Sequence, residues 1–248
     1  MIEVKNLVKS YGEHVAVKNV AFSAAKGEVV GFLGPNGAGK TTTIRMLATY
    51  LPPSSGTASV AGFDIVKQAD EVRKKIGYLP ENPPLYGEMR VEEYLKFIAE
   101  IKGIPARKIK EKVDQVLEKC FITDVRKKLC QHLSRGYRQR VGLAQAIIHE
   151  PEVVILDEPT SGLDPKQIIE IRQLIKSLGA DHTVILSTHI LPEVSMVCSK
   201  VVIVDKGTVV LEDKLADLTK GQSLEQVFLD CVTRNGNPNE QVFLEGAA

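Results

Sequence analysis

Eight residues constrain this chain more than any others: Gly34-Pro35-Asn36-Gly37-Ala38-Gly39-Lys40-Thr41, between the apolar run Glu28 to Leu33 and the helical pattern of Thr41 to Tyr50. They fill every fixed position of the pattern G-x-x-x-x-G-K-[ST]. Glycines let the backbone curl until its N–H groups point inward at phosphate oxygens, with no Cβ in the way. A helix opening near Lys40 turns its positive dipole end to the same phosphates. Lys40 then reaches the β- and γ-phosphates, the Thr41 hydroxyl is placed to ligate Mg²⁺, and Thr42 adds a hydroxyl for an α-phosphate. The bland alternative is a glycine-rich turn with a chance lysine. The context of a buried strand before the loop and a helix after it is what the phosphate-binding reading demands.

Composition sets the outer limits. A hydrophobic fraction of 44% in 248 residues suffices for a packed core. The longest apolar runs, Val29 to Leu33, Val153 to Leu156 and Val201 to Val204, fall far short of the roughly 18 residues of a membrane span. A net charge of +1 argues against nucleic acid as a direct partner. The basic stretches Arg107 to Lys112 and Arg126 to Lys128 read as solvated faces. No secretory signal is expected at Met1 to Lys5, and Cys120, Cys130, Cys198 and Cys231 show no metal spacing. Reduced thiols in the cytoplasm are the expectation. At a membrane, another chain must carry the spans.

Strand-like segments open the chain at Ile2 to Leu7 and Val15 to Phe22, either side of Tyr11-Gly12. Thr57 to Val60 and Lys75 to Leu79 follow the turn Pro52 to Gly56. From about 88 to 150 the spacing is helical, with breaks at Gly103-Ile104-Pro105 and Gln131 to Gly136. Strand and helix then alternate: Val153 to Leu156, Pro165 to Leu178, Thr183 to Ser187, Leu191 to Val197, Lys200 to Val204, with a hairpin into Thr208 to Leu211. This order predicts an α/β fold with a mostly parallel sheet flanked by helices. Residues 1–220 form the main domain, and 221–248 a short helix and a tail, loose over Arg234 to Pro238.

The run Val153 to Leu156 ends in Asp157-Glu158. Asp157 is placed to hold Mg²⁺, directly or through water, and Glu158 to act as general base on the attacking water. Leu133-Ser134-Arg135-Gly136-Tyr137-Arg138-Gln139-Arg140 precedes this pair, Ser161-Gly162-Leu163-Asp164 follows it, and His189 ends Leu186-Ser187-Thr188-His189. Singly, Ser134 reads as a helix cap, His189 as a capping or core residue and Tyr11 as a strand residue. Together and in this order they resemble the ATP-binding cassette (ABC) ATPases over Ile2 to about Leu211.

The resemblance implies an ABC-type nucleotide-binding domain: a phosphate-loop core, an N-terminal antiparallel β subdomain and an α-helical signature subdomain. It implies ATP and Mg²⁺, with Tyr11 stacking on adenine and His189 holding the γ-phosphate and water. Two such subunits, taken as copies of one chain, close head to tail. Ser134 and Gly136 then face the γ-phosphate of the opposite site, and Asp164 crosses the interface. Arg135 and Tyr137 stand where Gly and Gln are more usual. Glu81 stands where the family places glutamine; its oxygen can still ligate Mg²⁺, but its charge implies slower or more tightly gated hydrolysis.

Tyr78-Leu79-Pro80-Glu81 and Ser223 to Leu229 resemble the ATPase subunits of bacterial ABC-2-type exporters. That implies a separate membrane permease whose coupling helix docks by the stretch Leu85 to Ile101, and a peripheral place on the inner face of the membrane. The alternatives are a soluble ABC ATPase working on nucleic acid or ribosomes, and a phosphate-loop kinase acting on a small molecule.

Overall fold

In chain order the elements are β1 (Ile2–Tyr11), β2 (His14–Ala24), β3 (Val29–Leu33), α1 (Lys40–Leu47), β4 (Ser55–Val60), β5 (Phe63–Asp64), α2 (Ala69–Lys75) and β6 (Ile76–Leu79). Then come α3 (Val91–Ile101), α4 (Ala106–Lys119), α5 (Arg135–Ile147), β7 (Val153–Asp157), α6 (Pro165–Leu178) and β8 (Thr183–Thr188). The last are α7 (Leu191–Val197), β9 (Lys200–Asp205), β10 (Thr208–Lys214), α8 (Leu215–Leu218) and α9 (Leu224–Arg234). This is a computed structural model, and it describes residues 1–234. The tail expected beyond Arg234 lies outside the described residues.

The sheet runs β5-β4-β1-β2-β10-β9-β3-β8-β7-β6. From β6 to β9 every neighbour is parallel, whereas β1, β2, β4 and β5 pair antiparallel. The α/β expectation therefore holds, with the antiparallel strands at one end of the sheet. Strands β3 and β7 are buried at every residue, as apolar runs covered on both faces must be. Their alternate side chains feed two cores: Val154 and Leu156 pack with the helices α3 to α7, Val153 and Ile155 with α1 and β1. Each core removes apolar surface from water at roughly 25 cal/mol per Å².

Several boundaries shift from the sequence reading. The helix expected near Tyr137 starts at Arg135, because the Ser134 hydroxyl accepts the Tyr137 N–H at 3.4 Å and caps it. The stretch Leu85 to Ile101 is helical only from Val91. Ahead of it the chain turns through Pro83 and Pro84, and Arg90 forms an antiparallel bridge with Leu129. α1 ends at Leu47 rather than Tyr50, and Thr49 takes the left-handed φ of 59°. Among the described residues no helix is long and apolar enough to cross a membrane.

The helical layer is fastened to the sheet just past the end of α5, where His149 Nε2 lies 3.0 Å from the Ile76 carbonyl oxygen of β6. Burial first, and the Lys102 charge second, lower the His149 pKa from 6.5 to about 4. The unfolded chain therefore binds this proton more readily than the folded one. The stability it contributes is complete above about pH 6.5 and declines as the pH falls toward 4. His149→Gln is expected to flatten the loss of stability across that interval, measured by urea denaturation at a series of pH values.

Candidate active site

Strand register assembles the site. Leu33 pairs with Thr188, and Asp157 with Ser187, so three parallel strands end at one level. The residues just beyond those ends, Gly34, Glu158 and His189, therefore share one rim of the sheet, where α/β folds place their ligands. Gly34 must lack a Cβ, which would sit 2.3 Å from the Val204 carbonyl oxygen. Gly39 has φ +94°, and a Cβ there would lie 2.6 Å from the Ala16 carbonyl oxygen. Gly39 caps α1 with no side-chain hydrogen bond, leaving the first N–H groups of the helix for an anion. Pro35 and Ala38 brace the turn, through Ala38 N–H to the Pro35 carbonyl at 3.2 Å and Gly207 N–H to the Ala38 carbonyl at 3.1 Å.

Lys40 is only 5% exposed, and its Nζ donates to the Gly34 carbonyl at 2.9 Å and the Pro35 carbonyl at 3.2 Å. It also lies 3.4 Å from Glu158 Oε1, so a cation and a carboxylate face each other across the loop. Asp157, at 1% exposure, accepts the Thr41 hydroxyl at 3.3 Å. Burial pushes its carboxyl above the ordinary range, and the Thr41 hydrogen bond opposes this. Glu158 holds a left-handed φ of 49° and donates its N–H to the Ser187 carbonyl at 2.9 Å. Such a conformation costs on the order of 1 kcal/mol, with the residue just ahead of it held by the β7–β8 pairing. It turns the carboxylate so that Oε2 meets His189 Nδ1 at 2.8 Å.

Tyr11, Asn36, Gly37, Lys40, Thr41, Thr42, Glu81, Glu158 and His189 line one cleft of about 470 Å³. Glu81 is anchored through its main-chain oxygen, which accepts Gln139 Nε2 at 2.6 Å. Ser161, the start of the sequence-derived run Ser161-Gly162-Leu163-Asp164, lines the same cleft, as do His14 and Ala16, which were not singled out from sequence. His14 sits directly opposite Tyr11 across the β1–β2 turn, a register that the tight Gly12 turn could have signalled. A larger hollow of about 690 Å³ lies elsewhere, against α4. Its Lys112 and Lys119 are already paired, with Glu150 at 2.6 Å and Asp181 at 3.4 Å.

Gly34, Pro35, Ala38 and Asp157 belong to the loop and strand ends beside the cleft without lining it, and Ser134, Gly136 and Asp164 belong to other elements. Ser134 caps α5, Gly136 packs against Gln167, and Asp164 caps α6 by accepting the Gln167 N–H at 2.9 Å. The unusual Arg135 reaches Ser161 Oγ at 3.4 Å. Tyr137 is accommodated by donating its hydroxyl to Asp124 at 2.6 Å, with Arg140 lying 5.7 Å from its ring centroid.

The sequence matches the ABC transporter family over residues 17–161, the phosphate loop and the acidic pair included. The chain belongs to the ABC transporter family. A match to an AAA domain covers the shorter span 130–196. The ABC transporter ATP-binding protein YxlF of Bacillus subtilis is 42% identical, over 92% of this chain and 75% of its own length. The bacitracin transport ATP-binding protein BcrA of Bacillus licheniformis is 39% identical, over 89% of this chain and 72% of its own. Among solved structures, an ATP-binding subunit of an ABC transporter superposes with a TM-score of 0.84 at 30% identity, covering 93% of this chain and 99% of that one. The dimeric cassette MJ0796, in a post-hydrolysis state bound to ADP and Pi, gives 0.79 at 26% identity, covering 87% and 99%.

The chain is accordingly an ATP-binding subunit of this family, and an ATPase. In that setting the carboxylate of Glu81 adds negative charge to a cleft that already holds Glu158. Glu81→Gln is expected to raise the ATP turnover rate by about three-fold or more and to change the Mg²⁺ concentration it requires. A phosphate-release assay across a Mg²⁺ series checks this.

Proposed function

We propose that this chain drives a separate membrane permease, working as an exporter, by closing on a second copy of itself around ATP. The observation that carries this reading is the division of the functional residues. Lys40, Thr41, Glu158 and His189 converge on one cleft, whereas Ser134 and Gly136 lie outside it at the start of α5. A hydroxyl, a glycine and a helix N-terminus that stand apart from this chain's own phosphate loop suit the γ-phosphate of another copy's site.

The donor set at the strand ends fits Mg²⁺. A threonine hydroxyl and a carboxylate stand 3.3 Å apart, both hard oxygen donors. Thr41 and Asp157 would hold the ion, with the Glu81 carboxylate beside them. Bound there, Mg²⁺ supplies compensation for the charge that develops on the phosphate oxygens.

The chain's own groups account for the rest. Tyr11 offers its ring to adenine, Lys40 and the loop N–H groups hold the phosphates, and Thr42 adds a hydroxyl. Glu158 Oε orients a water and takes its proton as the water oxygen attacks the γ-phosphorus. The bond from that phosphorus to the bridging oxygen breaks, and ADP leaves with the electron pair. His189, hydrogen-bonded to Glu158, keeps that carboxylate on the line of attack and reaches the γ-phosphate with its other nitrogen. Asp164 approaches the partner from the start of α6.

The exporter reading is supported by relatives whose names record bacitracin transport, daunorubicin resistance and linearmycin resistance. Tyr86, ahead of α3, and Ile101, its last residue, are exposed apolar residues, a surface that suits a helix of a permease. A cytoplasmic position at the inner face of the membrane follows from that partner.

Glu158→Gln is expected to lower turnover by at least about 100-fold while ATP affinity stays within about three-fold of the parent. Phosphate release and equilibrium titration with a fluorescent ATP analogue measure the two quantities. Undiminished turnover would remove Glu158 from the role of base.

A further inference from the structure

We infer that Glu193 is a positioning residue for the Glu158–His189 pair, an inference that rests on the site reading above. Glu193 lies in the first turn of α7, is 1% exposed and does not line the nucleotide cleft. Its carboxylate gathers groups from three separate elements. Thr188, the last residue of β8, donates its hydroxyl to Glu193 Oε2 at 2.7 Å. Thr160, in the loop after β7, donates its hydroxyl to Oε1. Arg172 of α6 brings a guanidinium nitrogen to 3.8 Å from the same oxygen.

The two threonines are the neighbours of the chemistry. Thr188 immediately precedes His189, and Thr160 stands two residues after Glu158. The Thr188 hydroxyl also accepts the Ile190 N–H at 3.0 Å, so both flanks of His189 are held by one hydroxyl. One buried carboxylate therefore pins the loop that carries the base to the loop that carries the histidine.

A carboxylate sequestered from water carries a desolvation cost that a leucine or methionine would not, and it offsets that cost only through satisfied partners. What an apolar residue could not supply is direction. Two hydroxyls fixed to two oxygens of one rigid group set the separation of the loops, and with it the 2.8 Å contact between Glu158 and His189. The left-handed φ of 49° at Glu158 needs such restraint on its C-terminal side, where β7 has already ended. A displacement of about 1 Å at a reacting group is enough to cost about two orders of magnitude in rate.

The test uses the full chain with Mg-ATP. Glu193→Gln keeps the shape and removes the charge. Its kcat is expected to fall by about ten-fold or more while ATP affinity stays within about two-fold, and the His189 imidazole resonances are expected to move in NMR spectra. Thr160→Val and Thr188→Val each remove one of the hydroxyls. Because they act through one carboxylate, the double variant is expected to lose little more than the worse single one.

Strictly additive threonine losses, or a Glu193→Gln enzyme with parental kcat and unmoved His189 resonances, would overturn the inference. So would parallel falls in kcat, ATP affinity and melting temperature, which indicate a merely structural group. Glu158→Gln, run alongside, separates the two levels. Full turnover in that variant defeats the site reading itself. Collapsed turnover there, with parental behaviour in the Glu193 and threonine variants, defeats only the positioning role.

Discussion

The in-register pairing of β3, β8 and β7 is the constraint on which the rest depends. Because Leu33 lies beside Thr188 and Ser187 beside Asp157, the turns that follow each strand emerge together. A slip of one residue would exchange the two faces of a strand, moving Val153 and Ile155 into the wrong core. It would also rotate Asp157 away from Thr41. The apolar interior thus sets the position of the polar rim, and full burial of these strands allows no second register.

At that rim, charges that would repel or dissolve in water are kept close in poorly solvated surroundings. Asp157 and Glu158 are adjacent carboxylates, buried to 1% and 9% exposure, and the Lys40 ammonium stands by the second. Such proximity strengthens each electrostatic interaction well beyond its value at an exposed surface. The loop glycines serve the same end by admitting backbone N–H groups where a Cβ would strike Val204 or Ala16. The rim is organised to receive a polyanion.

Much of this was legible in the sequence, for identifiable reasons. The phosphate loop has a fixed spacing because its backbone geometry tolerates few alternatives, so Gly34 to Thr41 could be placed at once. The helices Pro165–Leu178 and Leu191–Val197 have the expected limits, since Asp164 with Pro165, and Pro192, mark their starts. Other features leave no local pattern. Helix α2 is short and has a single buried residue, Val72, too little for an apolar periodicity. The turn at 85–90 depends on the bridge from Arg90 to Leu129, a contact across nearly forty positions that no neighbouring residue announces. Glu193 looks like any acidic residue in a helix until tertiary packing encloses it with Thr160 and Thr188.

A single copy presents the surface of a nucleotide cleft and that of a capped helix start, Ser134 to Gly136, whose Ser134 and Gly136 do not line the cleft. The claim that these two surfaces meet around ATP is tested most directly by the molar mass of the Glu158→Gln chain in solution, measured by multi-angle light scattering with and without Mg-ATP. The account predicts a mass near 27.2 kDa without nucleotide and twice that value with saturating Mg-ATP. A chain that binds ATP and keeps the mass of a single copy would contradict it.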